Sequence, residues 1–279
     1  MFREGLLQDK RVLITGGGTG LGKSMGRRML ELGARLVICG RRENVLADTA
    51  AEFDADFPGR TAHHVCDIRN PAAVEAMVDA IWADGPLDVL VNNAAGNFIS
   101  RTETLSPRAV DAVLGIVLHG TTYVTLACGK RWIAEARPAA VLSIVATYAW
   151  TGSAYVVPSA MGKAGVLALT RSLAVEWGPK GIRLNAIAPG PFPTEGAWQR
   201  LVPDKQTEAA WKHRIPLGRF GEHGELANLA AYLVADESAY INGEVVTIDG
   251  GEWLKGAAQF SNMEALSDDD WATMRGRKG

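Results

Sequence analysis

The stretch Thr15-Gly16-Gly17-Gly18-Thr19-Gly20-Leu21-Gly22 has the composition of a phosphate cradle. Glycines let a backbone approach a pyrophosphate with no Cβ in the way, and a helix N-terminus offers free N–H groups with a partial positive charge. Such a turn carries meaning only between a strand and a helix. Here Arg11–Ile14 reads as a short buried strand, and from Gly20 the apolar residues Leu21, Met25, Met29, Leu30 and Leu32 recur at helical spacing. A flexible glycine turn is the plainer alternative, and the strand and helix around it favour a nucleotide.

A second apolar strand, Arg35–Cys39, ends at Gly40-Arg41-Arg42. In a βαβ nucleotide fold this point lies beside the adenosine ribose, where an acid would bind a free 2′-hydroxyl and arginine pairs with a 2′-phosphate. No acid precedes Glu43, so Arg41 and Arg42 point to NADP(H) over NAD(H). Asp67 follows a third strand, Ala62–Cys66, and could meet the adenine amine. His63 and His64 are strand neighbours on opposite faces and cannot share a metal. A fourth strand, Asp88–Val91, runs into Asn92-Asn93-Ala94-Ala95-Gly96-Asn97-Phe98, small residues that suit close approach to a ligand.

Strands and helices alternate with short loops, which predicts a doubly wound parallel α/β sheet covered on both faces. Asn70-Pro71 and Ser106-Pro107 read as helix starts, the second opening a helix to about Glu135. A long helix opens at Pro158 and ends near Trp177, a further helix covers 225–233, and the last strand covers 244–248. In the tail, Ser267 with Asp270 three residues on reads as the cap of a short helix.

The chain has 279 residues, 47% hydrophobic and 22% charged, which fits one domain, 1–279, with an ample core. Its net charge of −2 is mixed along the sequence and implies no nucleic-acid surface. Three cysteines, Cys39, Cys66 and Cys128, lie in apolar runs, as in a reducing compartment, and argue against disulfides or zinc. We read no targeting segment and no apolar run of about 18 residues fit to span a bilayer, so a cytoplasmic protein is expected.

The motifs together resemble those of the short-chain dehydrogenases/reductases: Thr15-Gly16-x-x-x-Gly20-x-Gly22, Asp67, Asn92-Asn93-Ala94, Asn185-x-x-x-Pro189-Gly190 and Asp249-Gly250-Gly251. The resemblance implies a Rossmann-like fold. It assigns the cofactor to Gly16, Gly18, Thr19, Gly20, Leu21 and Gly22 at the pyrophosphate, and to Arg41, Arg42, Asp67 and Ile68 around the adenosine. Asn93, Ala94, Ala95, Lys163, Pro189, Gly190, Pro191 and Phe192 complete the set. An asparagine that joins a proton relay in many members is replaced here by His119.

Most members place a tyrosine four residues before the lysine, where this chain has Ser159. Tyr155, eight before Lys163, precedes the helix. Tyr148, fifteen before, lies just beyond a strand (140–145), where other members keep a serine. This exchange resembles the NADPH-dependent 2,4-dienoyl-CoA reductases of the mitochondrial type, as do Asn92–Ser100, Val156–Ala160, Pro189–Pro191 and Ala227–Ala231. The resemblance implies reduction of a dienoyl-CoA. Tyr148 and Asn97 would hydrogen-bond the thioester oxygen, Lys163 would hold the ribose and tune the tyrosine, and Ser159 would orient the site. The demand is physical too, since a developing enolate oxygen needs two donors aimed at it in a dry site. Arg69, Phe98, Ser106 and Arg200 would contact the acyl-CoA. Residues 194–216 would form a cationic lid and 253–279 a tail over the pocket or a neighbour, in a homo-oligomer, dimer or tetramer. Two rivals stand beside this: a carbonyl reductase of the same superfamily, and a non-catalytic NADPH-binding regulator.

Overall fold

The structure, a computed structural model, describes residues 2–194 and 204–276. One seven-stranded sheet organises it, all parallel, in the order β3-β2-β1-β4-β5-β6-β7. The strands are β1 Arg11–Thr15, β2 Arg35–Gly40, β3 Thr61–Val65, β4 Val89–Asn92, β5 Ala139–Ile144, β6 Ile182–Pro189 and β7 Val245–Ile248. The doubly wound sheet expected from the sequence is present.

The strands alternate their side chains between two apolar layers, as the period of two demands. On one face Val12 and Ile14 of β1 pack with Met25 and Met29 of α1 (Gly20–Glu31), Leu46 and Phe53 of α2 (Glu43–Asp56), and a helix that spans His223–Val234. On the other face Leu13 packs with Val78 and Ile81 of α3 (Pro71–Ala83) and with two long helices. The caps read from sequence are made: Asn70 Oδ1 accepts from the N–H groups of Ala72 and Ala73, and Ser106 Oγ from that of Ala109.

The first long helix is continuous over Pro107–Ala134 but not uniform. α4 (Pro107–Leu114) and α5 (Thr121–Ala134) are joined by a π-helical segment, Gly115–Gly120. By length and composition this helix could cross a bilayer, which corrects the reading that no such stretch exists. Half of its apolar window is buried against α3, the sheet and the neighbouring long helix, as a core helix requires. After the one-turn helix α6 (Tyr148–Thr151) comes that neighbour, α7 (Val157–Trp177). α8 (Lys205–Arg214), α9 (His223–Val234), α10 (Glu252–Ala257) and α11 (Asp268–Gly276) follow, the last capped through Ser267 and Asp270 as expected.

The three thiols are free and buried. Burial pushes the Cys128 thiol up to about 12, so it stays protonated and unreactive at neutral pH. His63 is exposed and His64 half-buried on the edge strand β3.

Close contact between α5 and α7 depends on Gly129. A Cβ there would stand 2.3 Å from the Trp177 ring. Gly129→Ala should therefore lower the stability of the fold by roughly 1–3 kcal/mol through overpacking, read as a drop in the thermal midpoint. An unchanged midpoint would mean that the two helices have slack here.

Candidate active site

The strand order reverses between β1 and β4, and in an open parallel sheet the crevice outside such a reversal takes the ligand. Four segments leave the C-terminal ends of adjacent strands there. The glycine turn follows β1, Asn93–Phe98 follows β4, the Tyr148 segment follows β5, and Gly190–Thr194 follows β6.

The glycine turn is braced from both sides. Thr15 Oγ1 accepts from the backbone N–H groups of Asn93 and Ala94, both at 3.0 Å. The Asn93 amide donates to the carbonyls of Thr15 and Gly16, and Thr49 Oγ1 donates to that of Gly18 at 2.8 Å. Asn93 thus braces the cradle with its side chain. A Cβ on Gly22 would lie 2.4 Å from the Gly16 carbonyl oxygen, so only glycine fits. Thr19 caps α1 without a side-chain hydrogen bond, and the first turn holds no acid, so the helix N-terminus keeps its donors free for an anion. Thr194 passes 3.3 Å from the place a Cβ would take on Gly20 and so borders the cradle.

Arg41 and Arg42 are exposed, with no ion-pair partner among the described residues. Arg69 holds Asp67 through its Nε and Nη2, and that pairing keeps the Asp67 carboxyl below its ordinary range. The guanidinium expected to meet substrate is therefore already engaged by the carboxylate expected to meet adenine. Ile68 beside them is buried. Gly190 donates its N–H to the Ile248 carbonyl, and Pro191 accepts from Gly221 N–H, which fixes the chain as it leaves β6. Phe192 packs against Gly221.

The chemistry-bearing side chains meet where α6 faces α7. Tyr148 Oη lies 3.1 Å from Ser159 Oγ. Lys163 is buried one turn beyond Ser159, and its Nζ donates to the Ile144 carbonyl at the end of β5. Burial pulls the ammonium down to about 8, and burial pushes the Tyr148 phenol up, with the Ser159 hydrogen bond offsetting only part. Both shifts have the same main cause, loss of water around each group. Tyr155 stays away: it is 59% exposed, at φ 65°.

Asn97 is exposed, and its Oδ1 accepts from Phe98 N–H at 2.9 Å. That bond turns the amide so that its NH2 group faces away as a donor. Ser100 N–H donates to the Tyr155 carbonyl at 2.9 Å and ties the Asn97 segment to the loop between α6 and α7. Phe98 is half-exposed nearby. Ser106 is engaged as a helix cap. His119 is exposed in the π-helical segment, its ring 6.1 Å from that of Tyr123. Arg200 and Trp198 lie outside the described residues. Lys212 pairs with Glu208 at 2.7 Å and sits over Phe220. Thr15 enters the sequence reading only as a member of the glycine motif, with no role of its own, and the Ile144 carbonyl does not enter it. Thr15 carries a signal, a hydroxyl at the strand end before the glycines, whereas a backbone acceptor carries none.

The described residues fit a dinucleotide. Among them buried Lys163 Nζ has one hydrogen-bond partner for three donors, and that shortfall suits ribose hydroxyls. The family profile described as enoyl-(acyl carrier protein) reductase matches residues 16–252. The chain belongs to the short-chain dehydrogenase/reductases, which use nicotinamide cofactors. It is 46% identical over 250 residues to a Bacillus subtilis protein named probable 2,4-dienoyl-CoA reductase [(2E)-enoyl-CoA-producing], covering 89% of this chain and 98% of that one. It is 41% identical over 290 residues to a Caenorhabditis elegans probable 2,4-dienoyl-CoA reductase 3 [(3E)-enoyl-CoA-producing], covering 100% and 94%. A short-chain dehydrogenase structure from Bacillus anthracis superimposes with a TM-score of 0.81 at 44% identity, covering 88% of this short-chain reductase and 96% of that chain.

The buried ammonium gives a prediction of sign. Because its folded value lies below the ordinary 10.5 for lysine, the cost of holding it is full below about pH 8 and fades as pH rises toward 10.5. Lys163→Met should raise the melting temperature of the cofactor-free reductase at pH 7, by a few °C or roughly 1–3 kcal/mol. The gain should shrink above pH 8; a gain independent of pH would put the ammonium outside a dry site.

Proposed function

We propose that this reductase transfers hydride from NADPH to 2,4-dienoyl thioesters of coenzyme A. The observation that carries the reading is the pairing of Tyr148 with Ser159, 3.1 Å apart with their family positions exchanged, beside a buried Lys163. The names of the Bacillus subtilis and Caenorhabditis elegans relatives support it.

Gly16, Gly18, Thr19, Gly20, Leu21 and Gly22 would hold the pyrophosphate on the N–H groups of α1, and Arg41 and Arg42 the 2′-phosphate. Asp67 and Ile68 would border the adenine, Lys163 would bind the ribose, and Asn93–Ala95 with Pro189–Phe192 would flank the nicotinamide. Bound NADPH supplies a hydride to the δ-carbon of the acyl chain. As the diene electrons move toward the thioester, its carbonyl oxygen gathers negative charge. Tyr148 Oη and the Asn97 amide donate hydrogen bonds to that oxygen. A phenol held neutral by burial is suited to this, since the dienolate needs a donor that keeps its proton. Ser159 orients the phenol. Water then protonates the α-carbon and leaves the double bond between the β- and γ-carbons. The relatives' names divide on this product, (2E) for one and (3E) for the other.

The lid of residues 194–216, with Arg200, would meet the coenzyme A phosphates, and the tail would border it within one domain. Exposed Leu126 on α5 with Met161 and Val175 on α7 suits pairing of these helices between subunits, as a dimer or tetramer. The free buried thiols suit a cytoplasmic setting.

Two measurements test this. NADPH oxidation should proceed with a 2,4-dienoyl-CoA and not with a 3-oxoacyl-CoA, giving the 3-enoyl product. Tyr148→Phe should cut kcat about 100- to 1000-fold with KM little changed. Turnover of the ketone surviving in Tyr148→Phe would establish the carbonyl reductase instead, and NADPH binding without turnover the regulator. Separately, Arg41→Ala should weaken NADPH roughly ten- to hundredfold, as expected for a charged hydrogen bond, and leave NADH nearly unchanged. Equal losses for both would remove the 2′-phosphate role.

A further inference from the structure

Tyr148 opens α6, a single turn of four residues, and a turn of that length does not hold itself in water. It ends at Gly152, φ 69°, beyond which residues 152–155 are exposed. Within α6 only Ala149 is buried. The outward residue, Trp150, meets an aromatic partner from far along the chain. The Trp150 and Trp253 rings lie edge to face, centroids 5.7 Å apart and planes at 82°.

Trp253 belongs to α10, and the turn before that helix aims it. Asp249 Oδ1 accepts from Gly251 N–H and Oδ2 from Trp253 N–H, both at 2.9 Å. Gly250 and Gly251 turn the chain at φ 65° and 88°. Asp249 in turn abuts Gly190, where a Cβ would lie 2.6 Å from the Asp249 Cβ. Beside Trp253, Glu252 accepts from Trp211 Nε1 of α8 at 2.9 Å and faces Arg214 at 3.7 Å. Lys255 Nζ adds a bond to the His213 carbonyl at 2.9 Å. One short helix therefore touches the turn that carries Tyr148 and the helix that follows residues 195–203.

We infer that Trp253 is a positioning residue for the reduction: through its edge-to-face contact with Trp150 it holds the turn that aims the Tyr148 phenol at the substrate oxygen. The inference rests on the proposed role of Tyr148. It makes the segment after β7 part of the active-site support, with Glu252 and Trp253 side by side contacting α8 and the Tyr148 turn.

The test compares Trp253→Ala and Trp253→Phe with wild type. An aromatic pair of this geometry, once lost, should lower kcat roughly three- to tenfold, with KM for the dienoyl-CoA and NADPH affinity within about twofold. Trp253→Phe keeps a ring edge and should restore kcat. A second readout needs no turnover. With ζ-carbon-labelled tyrosine, five tyrosines give a simple NMR spectrum in which Tyr148→Phe identifies the Tyr148 signal. That signal should move or broaden in Trp253→Ala and return in Trp253→Phe. Wild-type kcat with an unmoved Tyr148 signal in Trp253→Ala would overturn the inference, as would a Trp253→Phe variant as impaired as Trp253→Ala. A wild type that fails to reduce dienoyl thioesters would instead sink the proposed reaction, and the Tyr148 signal would still decide whether Trp253 positions it.

Discussion

A buried ammonium with too few partners governs this site. Lys163 carries three donors into a buried position, and the Ile144 carbonyl takes one. Leaving such a group unsatisfied costs free energy, so its neighbourhood is built to receive a ligand rich in hydroxyls. Its position is set twice over, since α7 supplies the side chain and the last residue of β5 supplies the acceptor. β5 pairs with β4 and β6 through continuous ladders, so the acceptor cannot drift. Ser159 lies one turn earlier on the same helix and inherits that placement, and Tyr148 inherits it through Ser159.

The parallel sheet makes the rest of the arrangement economical. All its strands run one way, so each loop at their C-terminal ends opens onto the same rim. The reversal of order between β1 and β4 parts those loops into a crevice. The glycine turn and the Asn93 segment are then neighbours although 78 residues separate Thr15 from Asn93, and they brace each other through Thr15 and Asn93. Bracing the cradle through the fold's own hydrogen bonds lowers the ordering cost of binding a nucleotide.

The parts legible in the sequence were those encoded locally. Glycines between a strand and a helix, the caps Asn70, Ser106 and Ser267, and the alternation of strands with helices each carry their structure within a few residues. The departures came where environment outweighed local pattern. The Asp67–Arg69 pair could not be read, since two residues with separate expected ligands satisfy each other when no ligand intervenes. The rise of the Tyr148 phenol could not be read, because burial depends on residues brought together only by the fold. Trp253 was invisible for a related reason: its partner lies 103 residues away, and no spacing rule connects them.

The exchange of tyrosine and serine acquires a physical sense from the burial. A ketone reductase must deliver a proton to an alkoxide, and a phenol near a cation does that best when its acidity is raised. A dienolate differs, since its charge is shared among oxygen, the α-carbon and the γ-carbon, and the proton ends on carbon. The oxygen then needs a strong hydrogen bond that persists through the step, without proton transfer. A phenol pushed up by burial holds its proton while still donating, and the Ser159 hydroxyl 3.1 Å away fixes its direction. Set on the one-turn helix after β5, it comes from a different element than the lysine, and burial outweighs the Ser159 hydrogen bond in setting its acidity. The exchange at Ser159 and the raised phenol thus point the same way, toward a donor that keeps its proton.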